Sequence, residues 1–523
     1  MTKKTAKKQK SFEETLWDSA NKLRGSVEPS EYKHVVLSLI FLKFVSDKFE
    51  ERKQELIDEG KDKYVDMVEF YTMKNVFYLP EESRWSYIKQ HAKQDDISIK
   101  IDTALLDIEK ENTSLKGALP RNYFSGLGLV RSKLSALVDT INNINTLQDK
   151  EEDVVGRVYE YFISRFAEKE GKGKGEYYTP KSIVNLIAEL IEPYKGIIYD
   201  PCCGSGGMFV QSAKFVENHQ GSKKDISIYG QEGTSATLKL ARMNLAIRGL
   251  NANLGEQGSD TFSADYHPDL KADYVMANPP FNQKDWRAEN ELLDDPRWSG
   301  YPVPPASNAN YGWILHMISK LSANGTAGFI LANGAMSGAA EEYRIRKQII
   351  ENKLIEAIIV LPREMFYATD ISVTLWIINK NKKAQTVKRL GQEVRLRDRE
   401  DEVLFIDVRK WGSEYNKKFI ELTSTDISNI AATLHNWQCA ESNSLYQDVP
   451  EYCFSATLAD IREKDYSLIT SKYIEFVDRD MDIDFDAEMS RIAEEFVDIL
   501  SEETQSLNDL KSAFKGLGYD ITR

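Results

Sequence analysis

Two short stretches carry residue types arranged for chemistry. In DYVMANPPFNQ, 273–283, an apolar run ends in Asn278, Pro279, Pro280 and Phe281. Neither proline can donate to a sheet ladder and each fixes its own φ, so a strand must stop here, abruptly and rigidly. Asn278 then stands at the carboxyl end of the run, where open α/β sheets bind their ligands, with an aromatic face beside it. In YDPCCGSGG, 199–207, Asp200 and Pro201 lead into Gly204, Ser205, Gly206 and Gly207. Those glycines let the backbone turn sharply and approach a ligand closely, and the helix opened by MFVQSAKFVEN aims its first amides at the same place.

The pattern D-x-x-x-G-x-G-G is not the dinucleotide fingerprint, and a glycine turn alone is as readily structural. Glu232 changes the reading: it ends ISIYGQE, 226–232, where a doubly wound fold places the carboxylate that accepts ribose hydroxyls. Together the glycine loop and Glu232 point to an adenosine-bearing cofactor. Asp260, in QGSDTF, is placed to accept from an adenine amino group or, equally, to cap a turn. No G-x-x-x-x-G-K-[ST], H-E-x-x-H or G-x-S-x-G occurs, nor any His/Cys cluster, so neither an ATP motor nor a catalytic metal is expected.

The elements that must position these residues change texture along the chain. Residues 1–10 form a lysine-rich tail expected to be disordered, and 11–166 read as a helical domain, opening on a capping-box-like Ser11/Glu14. From 167 to 415 short apolar runs alternate with helical stretches, which predicts a mostly parallel, doubly wound α/β sheet. Its strands are expected at 196–200, 226–232, 273–277, 327–332, 355–362 and 372–379, with another near 251–260. A mixed extension, 416–480, precedes a helical tail, 481–523, in which Met489, Ala493, Phe496, Leu500, Leu507, Leu510, Phe514 and Leu517 fall on a 3-4 spacing with only Glu503 out of place. That stripe faces either a partner or its own domain. The connector 282–312 is too long for an ordinary loop and is expected to form part of a binding wall, with Trp286, Trp298 and Tyr311 either in that wall or packed.

With 523 residues the chain is too long for one core. Four cysteines without a C-x-x-C pair fit a reducing cytoplasm. The first stretch, MTKKTAKKQKSFEETLWDSA, has a charged start but no apolar region after it and is not expected to be a signal peptide, and the longest greasy run, VVLSLIFLKFV at 35–45, falls short of the roughly 20 residues of a membrane span. A net charge of −14 lacks the basic footprint of a chain that grips nucleic acid alone.

DPCCGSGG followed by NPPF resembles S-adenosylmethionine-dependent adenine-N6 DNA methyltransferases. A chance NPP-aromatic in a chain this long is on the order of one in a few hundred. GEYYTP at 175–180, NANYGWILH at 308–316, FILANGAMSG at 329–338 and the helical ends extend the likeness, over almost the whole chain, to the modification subunit of Type I restriction-modification systems. The resemblance implies a Rossmann-like S-adenosylmethionine-dependent methyltransferase fold with an N-terminal all-helical domain and a C-terminal helical tail. It implies S-adenosylmethionine as cofactor, with Tyr178, Thr179 and Pro180 near its methionine end; Thr179 reads equally as an N-cap with Pro180 at the first helical position. Asn278 and Pro279 would offer two carbonyls to the exocyclic adenine amine, Pro280 would hold them still, and Phe281 would stack on a base rotated out of the duplex.

No target-recognition domain is visible after residue 410, so a separate specificity subunit is expected to read the double-stranded DNA. The resemblance implies two copies of this chain around it and an ATP-dependent restriction subunit. Two rivals stand beside this reading: amino-methyl transfer to protein glutamine or RNA guanine, because the same amide geometry suits any planar NH₂, and a non-catalytic assembly scaffold.

Overall fold

The computed structural model describes residues 17, 21, 29–143, 161–162, 179–366, 371–389, 392–415, 419–441, 446–477 and 484–517. The expected lysine-rich tail, the Ser11/Glu14 cap and Tyr178 lie outside these residues. The chain divides into two units, Met1–Ile474 and Glu475–Arg523.

Thirteen strands occur among the described residues of the first unit: β1 (Gly196–Asp200), β2 (Ile226–Gly230), β3 (Ala252–Asn253), β4 (Ala272–Ala277), β5 (Leu321–Ala332), β6 (Ile355–Val360), β7 (Val373–Asn379), β8 (Gln385–Arg389), β9 (Gln392–Leu396), β10 (Glu402–Asp407), β11 (Ser413–Tyr415), β12 (Phe419–Glu421) and β13 (Cys453–Thr457). Nine of them build one sheet in the order β13-β10-β6-β7-β5-β4-β1-β2-β3. Strands β1 to β6 and β10 run parallel, while β7 is antiparallel to both β5 and β6, and β13 is antiparallel to β10. The expected mostly parallel doubly wound sheet is therefore present. Its order reverses between β1 and β4, which opens the crevice at their carboxyl ends.

Side chains alternate between two cores along the central strands, as the period of two demands. Ile198, Met276, Ile330 and Ile377 enter a core covered by α5 (Lys181–Ile191), α6 (Gly207–Asn218), α7 (Ser235–Ile247) and α10 (Ser424–Gln438). Tyr199, Val275, Phe329 and Trp376 enter the opposite core, under α8 (Asn310–Lys320) and α9 (Ala340–Glu351). Strands buried on both faces need the near-continuous apolar runs that made them legible in the sequence. Trp286, Trp298 and Tyr311 belong to this second core, and each polar atom finds a backbone carbonyl: Trp286 Nε1 donates to Pro305, Trp298 Nε1 to Leu292 and Tyr311 Oη to Ala335. They are packing residues.

The helical N-terminal region is built on α1 (Pro29–Asp58), α2 (Trp85–His91), α3 (Ile97–Glu111) and α4 (Arg131–Asn142). Its own core takes in Leu240 and Met243 of α7. Arg242 on the same helix donates to Gly117 O at 2.9 Å. The helix that flanks the glycine loop is thus also the seat of the N-terminal domain.

The second unit contains α11 (Phe485–Gly516), capped by Asp484, whose Oδ1 accepts from the amides of Asp486 and Ala487. Every described side chain along it except Glu488 and Lys511 is open to solvent, including Met489, Phe496, Leu500, Leu507, Leu510 and Phe514.

Candidate functional site

Strand β1 ends at Asp200, and the chain then folds back over its own carboxyl edge. Gly204 and Gly206 take φ of +53° and +81°, the left-handed region that glycine enters without strain. Gly206 is the N-cap of α6, so the first amides of that helix open at the loop. A Cβ placed on Gly204 or Gly207 would meet no described atom within 4 Å: this side of the loop is a cradle with space in front of it. The loop is held from behind. Asn244 Nδ2 of α7 donates to Ser205 O at 2.8 Å, and Thr261 Oγ1 donates to Pro201 O at 2.6 Å.

Glu232 lies two residues past β2 and joins this loop directly. Its Oε2 accepts from Gly204 N–H at 3.0 Å and its Oε1 from Thr234 N–H at 2.9 Å. Ser259 N–H in turn donates to Glu232 O at 2.9 Å, which brings the Asp260 turn to the same rim. Asp260 Oδ1 accepts from the amides of Phe262 and Ser263 at 3.1 and 2.8 Å, so its carboxylate caps that turn. Beneath the rim Asp200 is buried, with Oδ1 accepting from Cys202 N–H at 3.0 Å. Burial, reinforced by the Glu232 charge, pushes its carboxyl up to about 7 against the opposing pull of the Cys202 hydrogen bonds.

Across the crevice β4 delivers Asn278. The carboxamide is 9% exposed and unequally satisfied: Nδ2 donates to Thr179 Oγ1 at 3.0 Å, while buried Oδ1 accepts from nothing among the described residues. Leaving a buried acceptor unmade costs about 1–3 kcal/mol, so such an atom marks a place where a ligand completes the bonding. Pro279 is buried and Pro280 partly so, which keeps the Asn278–Pro279 backbone fixed. Phe281 is half-buried and meets Phe366 edge to face, with centroids 5.5 Å apart and planes at 83°. Asn282 and Asn310 exchange hydrogen bonds, Asn282 N–H to Oδ1 at 3.2 Å and Asn310 Nδ2 to Oδ1 at 2.9 Å, and so anchor the turn after Phe281 to the start of α8.

The structure corrects one expectation at this site. The N-cap of α5 is Pro180, without a side-chain capping bond, and the helix begins at Lys181. Thr179 does not cap it; its hydroxyl is turned to Asn278 instead. Gln231 is the supporting residue that sequence reasoning missed. It is fully buried, its Nε2 donates to Ser259 O and Ala264 O, and its Oε1 accepts from Tyr266 N–H, so it fixes the whole Asp260 loop to the end of β2. A glutamine between Gly230 and Glu232 carries no sequence signal for that role.

The donor set fits an adenosine-bearing cofactor. It combines an open glycine cradle at a helix N-terminus, a carboxylate at the end of β2, and a second, buried carboxylate below. Among the described residues no cluster of His, Cys, Asp and Glu could hold a metal, and no helix is long and apolar enough to cross a membrane. A separate cleft of about 1200 Å³ runs between α1 and the β2–β3 edge and includes none of these residues. A smaller cavity of about 330 Å³ lies at the carboxyl ends of β5 and β6, beside Asn333.

Comparison with known proteins agrees with the fold. A profile of the family described as N-6 DNA Methylase matches residues 150–482, and one described as HsdM N-terminal domain matches 12–144. The chain is 38% identical over 465 residues to the Type I restriction enzyme HindI methylase subunit of Haemophilus influenzae, covering 84% of this chain and 100% of that protein. It is 34% identical over 528 residues to the MjaIX methylase subunit of Methanocaldococcus jannaschii, covering 97% and 92%. Among solved structures, the Type I methyltransferase subunit from Streptococcus thermophilus superposes with a TM-score of 0.71 at 21% identity, covering 89% of this chain and 99% of that one. The chain belongs to the N-6 DNA methylase family and, within it, to the methylase subunits of Type I restriction enzymes.

Proposed function

We propose that this subunit methylates the exocyclic N6 amine of adenine in double-stranded DNA, with S-adenosylmethionine as donor and a separate subunit choosing the site. The observation that carries the reading is Asn278 Oδ1, a buried acceptor without a partner at the crevice that also holds the glycine cradle. When bound, the cofactor supplies an electrophilic methyl group. The residues of this chain supply placement. Gly204, Ser205, Gly206 and Gly207 receive its methionine side together with Asp200, Pro201, Tyr178, Thr179 and Pro180; Glu232 takes the ribose and Asp260 the adenine edge.

An aryl amine is a poor nucleophile because its lone pair is delocalised into the ring. Two fixed acceptors, Asn278 Oδ1 and Pro279 O, each taking one N–H, pull the nitrogen toward tetrahedral geometry and free that pair. Because the prolines hold the acceptors still, little reorganisation is left for the moment of reaction. No base is required beforehand, since the nitrogen becomes acidic once it has gained the methyl and its proton can pass to water. Phe281 offers a stacking surface to the everted base, offsetting part of the few kcal/mol that unstacking costs.

The net charge of −14 argues that DNA is gripped mainly through a partner. The relatives are named as subunits, and the exposed apolar stripe of α11 is a ready surface for a specificity subunit, with a second copy of this chain and an ATP-dependent restriction subunit completing the complex. The test is to purify the chain alone and with a Type I specificity subunit from the same source, then map modified adenines by sequencing. Negligible DNA binding alone and sequence-specific N6-methyladenine with the partner support the reading. Labelled methyl appearing on protein or RNA instead, or tight sequence-specific binding by the isolated chain, discards it.

A further inference from the structure

We infer that Thr179 is a positioning residue that sets which way round the Asn278 carboxamide faces. The inference rests on the proposed adenine chemistry and adds to it a role distinct from holding the cofactor. The two ends of the Asn278 carboxamide are unequally engaged. Its Nδ2 donates to Thr179 Oγ1 at 3.0 Å, and its Oδ1 is left buried with no described partner. Turned by 180°, the amide would present NH₂ to the substrate's NH₂, donor against donor, and catalysis would lack one of its two acceptors.

A substrate amine alone therefore selects the orientation with Oδ1 forward, but that orientation buries Nδ2 on the other side. Something must accept from it there. Thr179 is that acceptor, brought from 99 residues earlier in the chain. It is held on the short segment leading into α5, where buried Pro180 fixes the backbone and leaves the threonine hydroxyl unused for capping. Without the hydroxyl, the competent amide orientation contains an unpaired buried donor, and the population shifts toward the orientation that cannot react.

Valine is nearly isosteric with threonine and lacks the acceptor, whereas serine keeps it. In the complete complex, Thr179→Val slows single-turnover methyl transfer at saturating cofactor by about 10- to 100-fold; with the hydroxyl engaged by Asn278, Thr179 meets the cofactor through its backbone and methyl group, which valine keeps, so the cofactor dissociation constant stays within about threefold of the parent. Thr179→Ser stays within about threefold of the parent rate. The companion variant Asn278→Asp carries acceptors on both faces and needs no orienting, so Thr179→Val added to it costs less than about threefold. A Thr179→Val complex as fast as the parent overturns the inference. So does a loss that lies wholly in cofactor affinity, or a serine variant as slow as the valine one. A parent complex that binds cofactor yet leaves adenine unmodified removes the adenine reading itself, which is a different result from any of these.

Discussion

Gly204 N–H donates to Glu232 Oε2 at 3.0 Å, so the glycine loop after β1 and the acidic residue after β2 form one rigid rim, not two independent ligand contacts. That bond pre-aims the carboxylate. Its second oxygen is steadied by Thr234 N–H at 2.9 Å. Replacing Glu232 with Gln keeps the shape but turns one of its two acceptors into a donor, so only one of the bonds from Gly204 N–H and Thr234 N–H survives, without its charge, and the acceptor offered to a ribose is weaker. Glu232→Gln is expected to raise the cofactor dissociation constant about 10-fold and Glu232→Ala about 100-fold. Titration calorimetry on the purified chain checks this, and an unchanged constant for the alanine variant would remove Glu232 from the site.

Asn278→Ala deletes the orphaned acceptor without touching the rim. Methyl transfer should fall by at least about 10²–10³-fold, the scale of losing one preorganised electrostatic contact. Cofactor binding should stay near normal. Retained turnover, read as labelled methyl reaching DNA, would end the two-carbonyl account. A parent that never binds cofactor would instead favour an assembly scaffold.

The legible parts of this molecule were those where burial on both faces forces apolar runs. Strand β1 falls at 196–200 as the sequence predicts, bounded by Gly196 and the glycine loop. Strand β5 begins six residues before the expected 327, because its first half, Leu321–Thr326, is polar and contains Gly325, a composition that reads as a turn. Strand β3, expected across 251–260, shrinks to Ala252–Asn253, since an edge strand pairs on one side and little holds it. Strands β10 and β13 were not singled out, although β13 completes the sheet, because five residues of mixed polarity at an antiparallel edge leave a weak pattern. At the site, Asn278, the glycines and Glu232 were readable as residue types that do chemistry. The Thr179–Asn278 bond and the Gln231 brace were not, because they join residues distant in sequence through single polar contacts that no periodicity encodes.

The buried Asp200 carboxyl is expected to make stability and cofactor binding pH-dependent. Its folded pKa is raised to about 7 by burial, with the Glu232 charge adding to the effect, against about 3.9 in an unfolded chain. The native state therefore keeps a proton that the unfolded chain releases over this interval. Stability from this group is full below about pH 4 and is lost as pH rises to about 7. Asp200→Asn, neutral throughout, should gain on the parent across that window and hold a constant advantage above it, by up to about 4 kcal/mol at pH 8. A cationic cofactor stabilises the ionised carboxylate, so its affinity should rise between pH 6 and about 7.5 and level off, with the slope absent in Asp200→Asn. Thermal melts and calorimetry across pH read both; a parent whose cofactor affinity is flat over this range contradicts the assignment of Asp200.

Helix α11 should be dispensable for the fold and needed for the complex. Phe496 and Leu500 are 58% and 44% exposed, so changing them removes little packing within the chain. Phe496→Asp with Leu500→Asp is expected to shift the thermal midpoint by no more than about 1 °C, since exposed substitutions usually stay within about 0.5 kcal/mol. Cofactor binding should not change. A buried apolar anchor at an interface is worth more, at least about 2 kcal/mol each for the ones that matter, and an aspartate there adds an unpaired buried charge. Affinity for the specificity subunit should accordingly fall at least about 100-fold, and with it sequence-specific methylation, while the isolated chain remains folded. Co-purification and size-exclusion chromatography with the partner decide the matter. A double variant that assembles and methylates like the parent would assign the docking surface to the N-terminal helices instead.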